Sequence, residues 1–487
     1  MRPLKLCTAL VSVLAVAMAW GCDGLKAQTD CEELKTCPVE AGDGGGGDVV
    51  VPPDCDLTKA LKDSASCVDD AVGVFVAPSG DDGATGKKSA PVKSIGKGIE
   101  LAASRGLPRV YVCEGTYEGA AEVRAPVGLY GGLSCAWAYT GAKPKLAPPN
   151  GIALRVTKVS GAVLVQDFDV LGSADANAPG DSAIAAFVSE STNVTFRNVT
   201  LTAGPGTGGA KGAGRSNYSG TAGAGGLTNT AAAGAGPSCA CTDGTTTKGG
   251  AGANGMGLGV ENGSAMPAVG TGNSGSTAAG SCTSATTGAN GVAMGPGGPS
   301  ASAGTLTATG WDTTVAVQNG ANGNPGQGGG GGGARSDLNL GGGGGGCGGC
   351  GGAGARSGAN GGSSVALLSF NSTVTVEGGK LTSGPGGAAG AGGDGQAGEP
   401  GGALGAGVCN GGAGGNGAGG SGGGGGAGGH SAPVAFVGIE PHASGATLTP
   451  GTKGAIGGGG APGAGPGNAG TAGTPGLEGK AQNSLAL

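Results

Sequence analysis

The sequence predicts an all-β fold: a parallel β-helix in which short strands stack coil upon coil, closed at one end by a helix and interrupted by glycine-rich segments. Three observations predict it. Three related stretches, VLVQDFDVLG from Val163, VTFRNVTLTAG from Val194 and VTVEGGKLTSG from Val374, share one apolar rhythm. One amphipathic stripe near residue 95 has helical spacing. The 121 glycines among 487 residues are gathered into tracts that alternate with the apolar stretches. Glycine at this level without a sustained triplet repeat points away from collagen.

The first 22 residues, MRPLKLCTALVSVLAVAMAWGC, carry Arg2 and Lys5 ahead of the apolar run Leu10–Ala19. That run is shorter than the ~20 residues a membrane span needs, and it reads as an export signal. Its end, Ala19-Trp20-Gly21-Cys22, resembles the bacterial lipoprotein box, in which a small residue precedes a cysteine that is acylated and becomes the new N-terminus. The resemblance implies a signal over 1–21, lipidation at Cys22 and a membrane partner reached through that lipid. Trp20 departs from the pattern, and the alternative is an ordinary signal cut near Ala19 with Cys22 in a disulfide. Residues 22–54, with DGGGGD and VPPD, read as a flexible tether.

Capped coils are expected over 55–204. Val74–Ala77 reads as a strand and SGDDG as a turn. Ser94 can cap a helix whose Ile95, Ile99, Ala102 and Ala103 lie on one face, with Gly106 ending it. Arg109–Cys113 is a second strand, followed by Gly115-Thr116-Tyr117. This order of Gly-Asp turn, Ile/Ala helix, strand and Gly-x-Tyr resembles the N-terminal coil of right-handed parallel β-helix, or pectin-lyase-like, proteins of bacterial surfaces. The resemblance implies a right-handed wind with the helix capping its open end. It leaves function open, because sites are grafted onto such folds.

In the three aligned stretches apolar residues fall at positions 1, 3, 6 and 8: Val163, Val165, Phe168 and Val170, then Val194, Phe196, Val199 and Leu201. The switch from odd to even marks a corner, because a strand alternates strictly. Asp167, Asn198 and Gly378 stand at that corner, residue types that tolerate a left-handed backbone. The third copy is degenerate, with Gly379 at an inward position. Residues 183–206 align over 363–386 without a gap, and 432–451 is a looser echo. Coils are therefore expected at 363–382 and, degenerate, at 432–450, with glycine-rich insertions at 205–362 and 383–431 and a glycine-rich tail at 451–487. Each of the last three coils ends in Leu-Thr-x-Gly and launches a glycine tract, which predicts outgrowths from one corner.

Ordering a residue costs about 1.5 kcal/mol, and glycine has no side chain to bury, so composition predicts loose or disordered loops. The alternative is a bundle of polyglycine II-like segments, because Gly recurs every third residue at 451–463 and again at 467–479.

Setting aside Cys7 and Cys22, the remaining cysteines are even in number and suit a disulfide framework in an exported chain. The nearest pairs are Cys31–Cys37, Cys55–Cys67 and Cys113–Cys135. Cys239, Cys241, Cys282, Cys347, Cys350 and Cys409 lie among the glycines with no pairing assigned. The CGGC at 347–350 lacks the second pair of a zinc site and the βαβ setting of a redox motif. No metal and no cofactor is expected.

A net charge of −6 and a pI near 5.1 exclude nucleic acid as partner. The many GxGxxG matches follow no Rossmann strand. An enzyme of the carbohydrate lyase or hydrolase class would rest on Asp167, Asp169 and Arg197, but Asp167 already has a corner to serve. His430 and His442 have no base partner in view. Tyr130, Trp137 and Tyr139 cluster in LYGGLSCAWAY, where they serve either as a carbohydrate platform or as packing of the first coils. The expectation is an exported, lipid-anchored, non-catalytic structural or adhesive protein at the outer membrane or cell surface. The alternatives are a polysaccharide-binding or polysaccharide-degrading protein, with cell-wall or matrix polysaccharide as partner, and a polyglycine-bundle surface binder.

Overall fold

Inward valine, leucine and phenylalanine from every circuit of the chain meet along one axis, and three parallel sheets surround them. The computed structural model describes residues 51–215, 231–266, 272–277, 280–314 and 318–487. The signal, Cys22, the tether and the Cys31–Cys37 pair lie outside the described residues.

Sheet one has seven strands: Gly73–Val76, Arg109–Cys113, Gly128–Leu133, Val163–Gln166, Val194–Arg197, Val374–Glu377 and His442–Ser444. Sheet two has six, from Thr116–Tyr117 through Lys145–Leu146, Asp169–Gly172, Thr200–Ala203 and Lys380–Ser383 to Thr447–Thr449. Sheet three also has six: Ala121–Val123, Leu154–Thr157, Ala183–Ser189, Ser364–Phe370, Ser431–Val437 and Ser484–Ala486. Every pairing in these sheets is parallel, and the chain visits them in the order one, two, three, one. One α-helix, α1 (Ile95–Ser104), is present among the described residues. Ser94 caps it by accepting a hydrogen bond from Lys97 N, and Ile95, Ile99 and Ala102 pack into the core.

The residues at the four inward positions are buried in the first two copies: Val163, Val165, Phe168 and Val170, and Val194, Phe196, Val199 and Leu201. The third copy keeps Val374, Val376 and Leu381 buried. Its Gly379 has a reason: φ is +85°, and a Cβ there would stand 2.1 Å from Val199 O. The corner between sheets one and two is left-handed at Asp167 (φ 55°), Asn198 (49°) and Gly378 (68°). A second left-handed column stands between sheets three and one, at Lys158, Glu190, Asn371 and Gly438. Asn371 and Gly438 suit such a backbone, but Lys158 and Glu190 carry no turn signal, so the column does not show as a repeat in the sequence.

The connections from sheet two to sheet three span residues 118–120, 147–153 and 173–182 in the early circuits, then 204–363, 384–430 and 450–483. All the glycine tracts therefore leave by one corner. They are ordered wherever described, and the expectation of loose loops is overturned. Sheet two pairs Thr200 with Lys380, and the same two rows continue outward as Gly206 N→Pro385 O, Gly209 N→Ala388 O and Gly212 N→Ala391 O. Sheet three pairs Ser364 with Ser431. Upstream, the same two rows are joined by Gly352 N→Ala418 O, Ala355 N→Ser421 O, Gly358 N→Gly424 O and Gly361 N→Ala427 O. Bonds recur every third residue, the repeat of a polyproline II helix. Antiparallel rows join the layers, as in Gly387 N→Gly362 O, Gly390 N→Ala359 O and Gly393 N→Arg356 O.

Composition alone misses the backbone as packing material. At most glycines of the array a neighbour's carbonyl oxygen occupies the place where a Cβ would stand. The glycine Hα therefore faces that oxygen, a weak C–H···O contact of about 0.5–1 kcal/mol. In the segment 411–429 Gly412 faces Thr286 O, Gly414 faces Cys347 O and Gly419 faces Gly463 O, so neighbours surround it on several sides. Gly fills 14 of the 19 positions there, and the others are Ala, Asn or Ser. In the outer row 451–463 the glycines at 454, 457, 460 and 463 face inward, where Cβ atoms would meet neighbouring carbonyls at 1.8–2.1 Å, and Gly459 is blocked by Gly473 O at 1.9 Å, whereas Gly458 has open space.

This geometry yields a paired test. A Cβ at Gly348 would lie 1.8 Å from Gly326 O, whereas one at Gly458 meets nothing within 4 Å. Gly348→Ala is expected to destabilise the protein by about 3 kcal/mol and Gly458→Ala by under about 0.5 kcal/mol, read from thermal melts with disulfides intact.

Candidate functional site

Three disulfides cross the glycine array: Cys239–Cys347, Cys241–Cys350 and Cys282–Cys409. Cys239 lies in the strand Ser238–Ala240, with Cys241 one residue beyond its end. Residues two apart share a strand face, and residues three apart share a face of a three-residue-per-turn helix. A CxC on a strand is thus matched to a CGGC on a glycine row, a pairing signal that the spacing held. The local pairs named from sequence, Cys55–Cys67 and Cys113–Cys135, are also joined. Among the described residues no cluster of His, Cys, Asp and Glu has the arrangement of a metal site.

Tyr130, Trp137 and Tyr139 belong to one aromatic cluster with Phe75 and Tyr111. Tyr130 is buried, with the Arg109 guanidinium 4.4 Å from its ring centroid. Trp137 meets Phe75 edge-on at 4.7 Å and donates Nε1–H to Lys88 O. Tyr139 donates its hydroxyl to Asp167 Oδ2. These rings pack against one another in the first circuits, with Tyr130 buried among them. Asp167 is buried and also accepts from Asn198 Nδ2 (2.5 Å) and Gln166 Nε2 (2.8 Å), so its carboxylate is spent on the corner. Arg197 pairs with Glu377 at 2.7 Å. Of the three candidate residues, Asp167 and Arg197 are thus engaged in structural contacts.

A groove that sequence reasoning passed over lies on the outer face of sheet three. From the long insertion, a hairpin of Thr305–Thr307 and Gly310–Asp312 folds back over this sheet. Leu306 packs with Ile184, Phe187, Val365 and Leu368. The hairpin turn is held by Ser189 Oγ→Ala308 O (2.8 Å) and Arg155 Nη1→Thr309 O (3.1 Å). Arg155 also sits 5.5 Å from the Phe187 ring centroid. On either side of the Arg155–Thr309 bridge is a recess, one of about 480 Å³ beneath Trp311 and one of about 430 Å³ beside Glu122 and Arg124.

Charges in the groove are fixed by their neighbours. The Arg124 hydrogen bond, with help from Thr157, holds the Glu122 carboxyl below its ordinary value against the opposing effect of burial. The Thr314 hydroxyl does the same for Asp312. Burial lowers Arg155, and Glu122 partly offsets this. Trp311 also lies 6.0 Å from His430, whose Nδ1 accepts the Lys480 N–H. Burial, with Lys480 adding to it, depresses His430 from its ordinary 6.5 to about 4.

No protein-family model matches this chain, and neither a curated protein nor a solved structure matches it.

The disulfides and the buried histidine can each be tested. Non-reducing peptide mapping is expected to recover Cys239 with Cys347 and Cys241 with Cys350; crossed pairs would contradict the register. Removing Cys239–Cys347 and Cys241–Cys350 together should cost about 2–4 kcal/mol, since the two bridges close the same long loop. The folded state keeps His430 neutral, while the unfolded chain protonates it near pH 6.5. The stability this contributes is complete above pH 6.5 and lost as pH falls through about 4. The loss should approach about 3 kcal/mol at most, and His430→Asn, which keeps an acceptor without titrating, should flatten that part of the profile.

Proposed function

We propose that this chain is an exported, lipid-anchored surface protein whose role is structural or adhesive rather than catalytic. In this reading the three sheets wind as a right-handed parallel β-helix, the hand that parallel crossovers strongly favour. The glycine tracts then form a polyglycine II slab beside it. The observation that carries the reading is the slab itself: extended rows with shared hydrogen bonds, buried backbone and three cross-array disulfides, an investment in rigidity. The five disulfides among the described residues belong to an oxidising compartment. No helix among the described residues is long and apolar enough to cross a membrane. Attachment is assigned to lipid on Cys22.

The ordered array also favours a second reading, in which an outer row that exposes Ala388, Asp394, Pro400 and Ala403 lies against a flat external surface. Anchoring is tested by fractionation. Cys22→Ser, or a globomycin-type block of lipoprotein processing, is expected to move the protein from the membrane to the soluble fraction or to leave an unprocessed precursor. Unchanged fractionation and processing would sink the anchor.

A further inference from the structure

We propose that the groove under the Thr305–Asp312 hairpin binds a neutral glycan chain, a role beyond the scaffold reading and independent of the lipid anchor. Each recess falls in the ~300–1,000 Å³ range of ligand pockets. Both are bounded by Arg155 and Thr309, so a linear ligand longer than either recess would cross that bridge.

The lining has the chemistry of a sugar site. Trp311 is half-buried and offers a ring against which the C–H face of a pyranose can stack. Asp181 and Asp312 supply acceptors, and Thr313 supplies a hydroxyl. Among the described residues Arg155 makes a single hydrogen bond, leaving most of its five N–H groups for a ligand. Sugar hydroxyls both donate and accept, which suits alternating carboxylate and guanidinium partners.

Charge selects the class of glycan. Glu122 is paired with Arg124, and Lys158 with Glu190. Over the two recesses the charged lining balances, Arg124, Arg155 and Lys158 against Glu122, Asp181 and Asp312, so no net positive field is offered to a uronate or sulfated chain. A polypeptide is disfavoured for a separate reason. Leu154–Thr157, the strand beneath the groove, is already paired on both sides, by Ala121–Val123 and Ala183–Ser189, so this strand offers no open edge to an added strand.

The test uses the full chain with its disulfides intact, co-sedimented with cellulose, xylan, mannan and cross-linked dextran, and with polygalacturonate and alginate as acidic probes. Binding to at least one neutral polysaccharide is expected, unmoved by high salt. Trp311→Ala and Arg155→Gln should each weaken it by roughly tenfold or more, while Trp311→Phe keeps a ring and retains part of it. Circular dichroism and the disulfide map check that each variant is folded; if Trp311→Ala is not, Trp311→Phe and Arg155→Gln decide. Binding to none of the neutral probes, binding confined to the acidic ones, or folded variants that bind like the parent would overturn the proposal. None of these outcomes touches the anchor, which membrane fractionation reads separately.

Discussion

Parallel register is the constraint on which the rest of this molecule depends. Each sheet fixes which row lies beside which, and the glycine segments inherit those neighbours as they leave sheet two and return to sheet three. A polyglycine chain has no side chains with which to choose a partner, so in isolation its register would be degenerate. Here the Thr200–Lys380 and Ser364–Ser431 pairings make the choice in the sheets, where side-chain burial enforces it. The step between bonds then changes from two residues to three without a change of partner. The hydrophobic circuits thus organise the glycine rows, while the disulfides hold rows far from the sheets.

Much of the sheet architecture was legible because a coil repeats its burial pattern at side-chain resolution. Val194, Phe196, Val199 and Leu201 announced both the strands and the corner between them, and Asp167, Asn198 and Gly378 marked the turn of the backbone. The second left-handed column was not legible, since Lys158 and Glu190 are held there by their circuit rather than by intrinsic preference. The glycine tracts were misjudged for a related reason. Burial was reckoned in side chains, whereas these rows bury peptide groups, with Gly348 and Gly414 packed against carbonyl oxygens. The sequence does hold the distinction between rim and interior: side chains such as Lys453, Ile456 and Pro462 between the regularly spaced glycines of an outer row, and only Ala, Asn or Ser between the glycines of 411–429.

The candidate site was the least legible part. Trp311 attracted no notice in a low-complexity setting, and it becomes a groove residue only because an insertion folds back onto a sheet encoded more than a hundred residues earlier in the chain. The aromatic run that did attract notice, Tyr130 to Tyr139, packs the first circuits. Clustering in sequence identified packing, while the groove arises from long-range topology. Sequence separation of this order, as between Arg155 and Thr309, is what no local pattern reports.

The three-residue spacing of bonds in the array gives the chain something like a reading frame. Adding or deleting three residues in a row moves each Gly by one turn and leaves the same face toward the neighbour. A change of one residue rotates the row by about a third of a turn and drives side chains into carbonyl oxygens. Rows are therefore expected to lengthen and shorten in triplets, or to absorb other changes at their turns, as happens between Gly463 and Gly467. Size in this part of the molecule is quantised by backbone geometry, and a lineage of such proteins could vary its reach widely while the β circuits stayed as they are.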